Sequence, residues 1–330
     1  MRAVVIPRFG GPEVLELRDL PRPEPGADQV LVRVRATALN RADALQRAGR
    51  YPAPAGAAAE VPGLEFAGEV ERLGPGVRRW REGDRVFGIV GGGAHAEYVV
   101  AHERAVAPVP ALLDWHEAAA VPEAFITAHD ALVSQAALRP GELVLVHAAG
   151  SGVGLAAIQL ARALGATPYG TARSPWKLER AREHGMADGF APPADMAGMR
   201  ERVMAWTGGR GVDVVLDLVG GPYVEASAHV LALKGRMMLV GAVAGGEVRL
   251  PLGRVMSQRL TVRGTVLRSR PIEERILATA AFEREVLPWL ARGALRPAID
   301  ARFPLADVAA AHARLESNES FGKIVLDLGV

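Results

Sequence analysis

The chain has 330 residues, 49% of them hydrophobic, a formal net charge of +2 and no cysteine. That length exceeds what a single core usually supports and sets two domains as the expectation; a chain without cysteine has no disulfides, thiolate metal sites or cysteine nucleophiles, and a reducing cytoplasm fits it. Basic and acidic residues are interspersed with no basic strip for nucleic acid, the apolar runs fall far short of the roughly 20 residues that span a bilayer, and MRAVVIPRFGG lacks the apolar core of a signal peptide.

The first third predicts strands and turns. In QVLVRVRATAL, Val30, Val32, Val34 and Ala36 alternate onto one face, the period of a half-buried strand. GLEFAGEVERLGPG, GDRVFGIV and AHAEYVVA predict further short strands between Gly-rich turns, as in a β sandwich or small barrel. From about Trp115 the texture changes. WHEAAAVPEAFITAHDALVSQA has helical spacing, interrupted near Pro122. Strand ELVLVHAA, helix VGLAAIQLARALG, strand TPYGTA and helix PWKLERAREHG then alternate. A helix near 196–206, strand VDVVLDLVG, helix PYVEASAHVLALKG and strands RMMLVGAV and RLTVRGTV complete the series. Apolar strands alternating with helices imply a parallel sheet covered on both faces, and right-handed crossovers make it doubly wound. After about Leu267 come two helices, IEERILATAAFEREVLPWLARG and LADVAAAHARLESN, then GKIVLDL, a strand that most simply returns to the N-terminal β region. The expected organisation is α/β: a discontinuous β domain of residues 1–122 and 267–330 around a doubly wound domain of residues 123–266.

HAAGSGVGLAAIQLARALGA lies where the first strand of the alternating series meets its helix. Small residues there let backbone approach a pyrophosphate, and the helix start offers free N–H groups and the positive dipole end. The glycines Gly150, Gly152 and Gly154 are spaced G-x-G-x-G rather than G-x-G-x-x-G. In this context the turn Gly150, Ser151, Gly152, Val153 reads as a dinucleotide site. The second strand ends in GTARSPWK, with no acid for a ribose 2′-hydroxyl. Arg173, Ser174 and Lys177 suit a 2′-phosphate instead, which favours NADPH over NADH. At the end of a later strand, Gly241, Ala242 and Val243 are candidates to line the nicotinamide.

Taken together, LNRADALQRAGRYP, GLEFAGEVERLGPG, GDRVFGIVGGGAHAEYV, AAAVPEAFITA, HAAGSGVGLAAIQLA, GVDVVLDLVGG, TVLRSR and FGKIVLDL resemble, in order and spacing, the zinc-free, ζ-crystallin-like quinone oxidoreductases of the medium-chain dehydrogenase/reductase superfamily. The likeness covers nearly the whole chain and looks nearest to the branch that includes the p53-inducible quinone oxidoreductase. It implies a GroES-like β domain, a Rossmann domain, a cleft between them and a homodimer, the last matching the exposed edge expected at RLTVRGTV. It implies no metal: Asn40 stands where zinc-dependent relatives carry their first ligand, Leu64 where they carry His, and the four-cysteine lobe is missing. Resemblance further implies Thr127 beside the nicotinamide, Arg268 or Arg270 near the cofactor or the cleft, and Asn318 in a segment that closes on the cofactor. Family members that prefer NADPH often carry a Tyr where Pro192 stands here, and Arg173, at a common family Gly, compensates.

Within LNRADALQRAGRYP, Asn40 is one of two asparagines and Tyr51 one of four tyrosines. Asn40 suits a helix N-cap and Gly49 the position after the helix end. Without zinc, a donor must meet the negative charge that hydride brings to an acceptor; the Tyr51 hydroxyl and Asn40 amide are the catalytic candidates. Asp43 suits structural work, and His95, His102 and His147 suit surface or packing positions. The function expected is NADPH-dependent quinone reduction. Reduction of activated C=C bonds uses the same parts, and a non-catalytic NADPH-binding protein is the third reading.

Overall fold

The computed structural model describes residues 1–329 and divides them into two compact units, Met1–Ile126 with the residues from Leu267 onward, and Thr127–Val266. The first unit begins with β1 (Arg2–Val5) paired antiparallel to β2 (Glu16–Asp19). Its main sheet is built on β3 (Gln29–Leu39), followed by β4 (Glu65–Leu73), β5 (Arg85–Ile89), β6 (Tyr98–His102) and β7 (Val106–Pro108). The alternating valines Val30, Val32 and Val34 are fully buried in its core with Phe66, Val86 and Val106. Between β3 and β4 lies helix Arg41–Arg47, opened by Asn40 with Asp43 Oδ2 accepting the Asn40 N–H. Gly49, at φ +73°, ends it, and a Cβ there would stand 2.8 Å from the Phe9 ring. The turn takes a left-handed residue and leaves no room for a side chain.

The second unit is a six-stranded parallel sheet. In chain order its strands are β8 (Leu143–Val146), β9 (Thr167–Thr171), β10 (Asp188–Phe190), β11 (Val212–Asp217), β12 (Leu231–Leu239) and β13 (Thr261–Gly264), in the spatial order β10-β9-β8-β11-β12-β13. The order reverses between β8 and β11. In doubly wound sheets, ligands bind at the carboxyl ends of strands beside that reversal. Helix Gly152–Ala163 follows β8 directly.

Back in the first unit, β14 (Ile299–Pro304) and β15 (Lys323–Asp327) close the main sheet. β15 pairs antiparallel with β3, Ile324 opposite Leu39 and Leu326 opposite Thr37, so GKIVLDL does return to the N-terminal sheet.

Three element expectations change. The helix expected over PYVEASAHVLALKG stops at Val230, because LALKG joins β12, where Leu231 pairs with Val212 and Lys234 takes φ +63°. Strand pairing overrides the helix propensity of that run. The helix expected from Ile272 is divided at Val286, two residues before Pro288, which has no N–H to give. The segment around Pro122 is less regular than helical spacing implies. The first unit has Trp115–Ala119 and a π-helical turn Pro122–Ile126; the second opens with Thr127–His129 and a π-helical turn Asp130–Gln135.

Candidate active site

In the first unit the end of β3, the start of β4 and the start of β15 bring ionisable groups together in the core. Lys323, 5% exposed, donates to the Leu39 carbonyl at 2.8 Å and to Asn40 Oδ1 at 2.6 Å, and pairs with Glu65 Oε1 at 2.6 Å. These contacts use all three ammonium protons. The Asn40 amide donates to Glu65 Oε1 at 2.9 Å and, more weakly, to the Ala38 carbonyl at 3.4 Å. The second Glu65 oxygen accepts the Glu123 backbone N–H at 2.8 Å. Burial raises the Glu65 carboxyl, while Lys323, the Glu123 N–H and Asn40 pull the other way.

The Glu123 side chain stands apart from that bonding. Its Oε2 is buried without a hydrogen-bond partner. Desolvation first, then the Glu65 charge, pushes its carboxyl up to about 7. Asp43 on the neighbouring helix accepts the Gly63 N–H at 3.0 Å besides its bond to Asn40. His95 is fully buried, and burial lowers its pKa, so the ring stays neutral at neutral pH.

Tyr51 is half-buried beside this cluster. The Arg268 guanidinium carbon lies 5.1 Å from its ring centroid, within cation–π range. Arg268 is itself buried, bonded to the Gly91 carbonyl at 2.8 Å and to Gln46 Oε1, with Nη1 unpartnered. Desolvation raises the Tyr51 phenol, opposed by the Arg268 charge and reinforced by Glu123, so at neutral pH it is a protonated donor. Asn318, at φ +60°, accepts from Arg41 at 2.9 Å and donates to the Glu316 carbonyl.

In the second unit, residues 147–154 leave β8 and turn into helix Gly152–Ala163. Ser151 caps this helix, its Oγ accepting the Gly154 N–H at 3.1 Å. A Cβ on Gly154 would lie 2.4 Å from the Ala148 carbonyl, so the close return of the turn requires glycine there. Beneath the turn His147 is fully buried. Its Nδ1 meets the Thr171 hydroxyl at the end of β9 and its Nε2 the Ser227 hydroxyl, both at 2.8 Å. Burial lowers the imidazole to about 4, so it is a neutral brace joining three elements. At the end of β11, Asp217 Oδ1 accepts the N–H groups of Val219 and Gly220, and its Oδ2 is buried without a partner. Gly241 follows β12, and a Cβ there would meet the Leu218 carbonyl at 2.5 Å. Ala242 and Val243 continue that loop, Val243 exposed. After β9, Arg173 is exposed, Ser174 immediately precedes helix Pro175–Glu183 without a side-chain capping bond, and Lys177 lies in its first turn beside Trp176. Thr127 is buried, its hydroxyl without a partner.

The sequence candidates thus fall in two groups. Asn40, Tyr51, Arg268 and Asn318 belong to the first unit. The turn Gly150–Val153, the trio Arg173, Ser174 and Lys177, the loop Gly241–Val243 and Thr127 belong to the second, where all but Thr127 follow carboxyl ends of parallel strands. Sequence reasoning missed Lys323 and Glu123 as site residues. Lys323 carried a signal: it is one of three lysines in a chain otherwise supplied with arginine. Among the described residues, no group of three or more His, Asp or Glu side chains is arranged to hold a metal ion. A glycine at 154 with no room for a Cβ, a helix start at Gly152 and basic residues after β9 are features of the kind that suit a dinucleotide phosphate.

Two family models match the chain, "Alcohol dehydrogenase GroES-like domain" over residues 26–111 and "Zinc-binding dehydrogenase" over residues 152–284. A quinone oxidoreductase of Pseudomonas aeruginosa is 38% identical over 96% of this chain and 97% of its own length. Among solved structures, an NAD-dependent alcohol dehydrogenase is 36% identical, with a TM-score of 0.87 and full coverage of both chains. The Escherichia coli quinone oxidoreductase complexed with NADPH is 28% identical, with a TM-score of 0.86 over 99% of this chain and 100% of its own.

Proposed function

The chain belongs to the quinone oxidoreductase family of the medium-chain dehydrogenase/reductase superfamily, and from that premise we propose that it reduces quinones by hydride transfer from NADPH without a metal. The observation that carries the reading is Tyr51, a half-buried, protonated phenol with the Arg268 guanidinium over its ring. Reduction delivers an electron pair to the acceptor, and its oxygen gains negative charge. A neutral O–H donor backed by a fixed cation stabilises that charge where it develops. A quinone is flat, apolar and electron-poor, so little further acid–base machinery is needed.

NADPH, when bound, supplies the hydride. Its pyrophosphate fits the turn Gly150, Ser151, Gly152, Val153, and its 2′-phosphate fits Arg173, Ser174 and Lys177. Gly241, Ala242, Val243 and Thr127 are assigned to its nicotinamide end, and Asn318 is a further candidate contact of the cofactor. The burial of Arg268 against Tyr51 favours a place at the acceptor rather than on a phosphate. Asn40 has its amide protons engaged by Glu65 and Ala38, so its part in the reaction is to hold Glu65 and Lys323. Metal independence is supported by the ammonium of Lys323, which holds the Glu65 and Asn40 oxygens as a resident cation.

We place the protein in the cytoplasm, in the branch that includes the p53-inducible quinone oxidoreductase, and in a homodimer. For the dimer, β13 is the last strand of its sheet, with one edge unpaired, and Leu252 and Met256 on the preceding helix are exposed. A monomer by sedimentation at micromolar concentration would contradict it.

Reduction of activated C=C bonds uses the same parts. Steady-state turnover of chelator-treated protein with NADPH separates the two. Quinone reduction requires a higher kcat/KM for 1,4-naphthoquinone than for a 2-alkenal, with no loss on chelation. The reverse preference, or activity restored only by zinc, would overturn the reading.

A further inference from the structure

We propose that Gln46 is a positioning residue for Tyr51: one end of its side-chain amide holds the Arg268 guanidinium over the Tyr51 ring, and the other end holds the loop that carries Tyr51. The effect on turnover rests on the reductase reading above; the clamp does not.

Gln46 lies on the buried face of helix Arg41–Arg47 and is 3% exposed. Burying a primary amide is costly unless its oxygen and its nitrogen are both bonded. Here both are. Oε1 accepts from Arg268 Nη2, and Nε2 donates to the Ala59 carbonyl at 2.9 Å. Arg268 donates from Nε to the Gly91 carbonyl at 2.8 Å. A planar guanidinium held at two nitrogens is fixed in orientation as well as in position. Its third nitrogen, Nη1, is buried without a partner, so no other bond duplicates the hold that Gln46 supplies.

The same contacts fix the loop from Tyr51 to Ala59. It follows Gly49 at the end of the helix and contains neither helix nor strand. Its first residue meets Arg268 and its last meets Gln46. Between these ends it rests on Gly91, where a Cβ would stand 3.0 Å from the Ala57 Cβ and 3.1 Å from the Pro54 Cγ. The Gly91 carbonyl is also the group that holds Arg268 Nε. One helix residue, one arginine and one turn thus define where Tyr51 stands. They grip its ring and its loop, which leaves the hydroxyl to an acceptor.

Donation to an oxygen that gains charge depends on distance and angle. Gln46 touches neither acceptor nor cofactor in this role. It acts by keeping the Tyr51 hydroxyl in one place. The charge of Arg268 alone does not do this, because an ammonium is a point charge without the planar fork that reaches Gly91 and Gln46 together.

The test uses Gln46→Met, which keeps the length of the side chain and loses both hydrogen bonds, alone and combined with Tyr51→Phe. In turnover of 1,4-naphthoquinone, Gln46→Met should lower kcat about tenfold with KM for NADPH unchanged, within the range that misplacing a reacting group costs. On the Tyr51→Phe background the same change should cost less than about twofold, because the group it positions is gone and coupled residues are not additive. Equal losses on both backgrounds would overturn action through Tyr51. Spectra of cofactor-free protein with carbon-13 in its tyrosine rings test the clamp itself. The signal absent from Tyr51→Phe identifies Tyr51. It should shift in Gln46→Met, while those of Tyr169 and Tyr223, in the second unit, stay in place. An unshifted Tyr51 signal would overturn the clamp. Thermal melts show whether Gln46→Met folds, and Arg268→Lys is the second variant if it does not. Arg268→Lys should shift the same signal and show the same dependence on Tyr51; wild-type turnover in it would overturn the clamp by showing that charge alone suffices. If wild type reduces neither a quinone nor an alkenal, the reductase reading fails and the effect on turnover with it, while the tyrosine spectrum still decides the clamp.

Discussion

Tyr51 combines a ring that packs and a hydroxyl that donates, and substitution separates the two. Tyr51→Phe keeps the ring under Arg268 and removes the O–H. Loss of one oxyanion donor costs on the order of 3 kcal/mol in an enclosed site and less in a solvent-open one. We expect kcat for a quinone to fall by about one to two powers of ten in Tyr51→Phe, with NADPH affinity and melting temperature unchanged, whereas Tyr51→Ala should also destabilise the protein. Wild-type turnover in the Phe variant would reduce Tyr51 to a packing residue. At this scale the sequence was a partial guide. Scarcity pointed to Asn40, and the structure sets its amide between Glu65 and Lys323. Glu123 gave no such sign, because a glutamate in a helical pattern looks the same whether solvated or buried. What distinguishes it is an oxygen without a partner, a property of packing in three dimensions.

In the proposed reading, the loop that leaves β9 selects between the two nicotinamide dinucleotides. Its first residues, Arg173 and Ser174, and Lys177 one turn into the helix, offer charge and a hydroxyl and no carboxylate. Charge-assisted hydrogen bonds are worth about 1.5–3 kcal/mol. Arg173→Ala with Lys177→Ala should therefore weaken NADPH binding at least about tenfold more than NADH binding, read by fluorescence titration of each cofactor; equal losses would remove the 2′-phosphate assignment. Elements themselves were legible where a period was sustained. The alternating valines of β3 are buried as their spacing requires, and the glycine turn after β8 begins a helix. Legibility failed where tertiary contacts decide. LALKG has the composition of a helix and became strand because β11 offers it a partner at Val212. The π-helical turns around Thr127 follow no residue pattern, since the extra residue per turn is set by packing.

At the scale of the molecule, the alternation of strand and helix from β8 to β13 is legible in the sequence as a doubly wound parallel sheet. The unpartnered strand GKIVLDL pointed back to the N-terminal sheet, where β15 now lies against β3. That return does more than close a sheet, because it carries Lys323 to Asn40 and Glu65 from nearly the opposite end of the chain. Nothing local to FGKIVLDL or to LNRADAL announces the meeting. We propose that a nicotinamide dinucleotide and a donor set without metal suffice to reduce a quinone. Single-turnover mixing addresses it most directly. Chelator-treated protein carrying NADPH, deuterated at the transferred position or not, is mixed with 1,4-naphthoquinone while nicotinamide oxidation is followed. We expect oxidation in one phase, slowed by deuterium and indifferent to chelation. No oxidation of the bound cofactor, or oxidation that returns only when zinc is restored, would contradict the account.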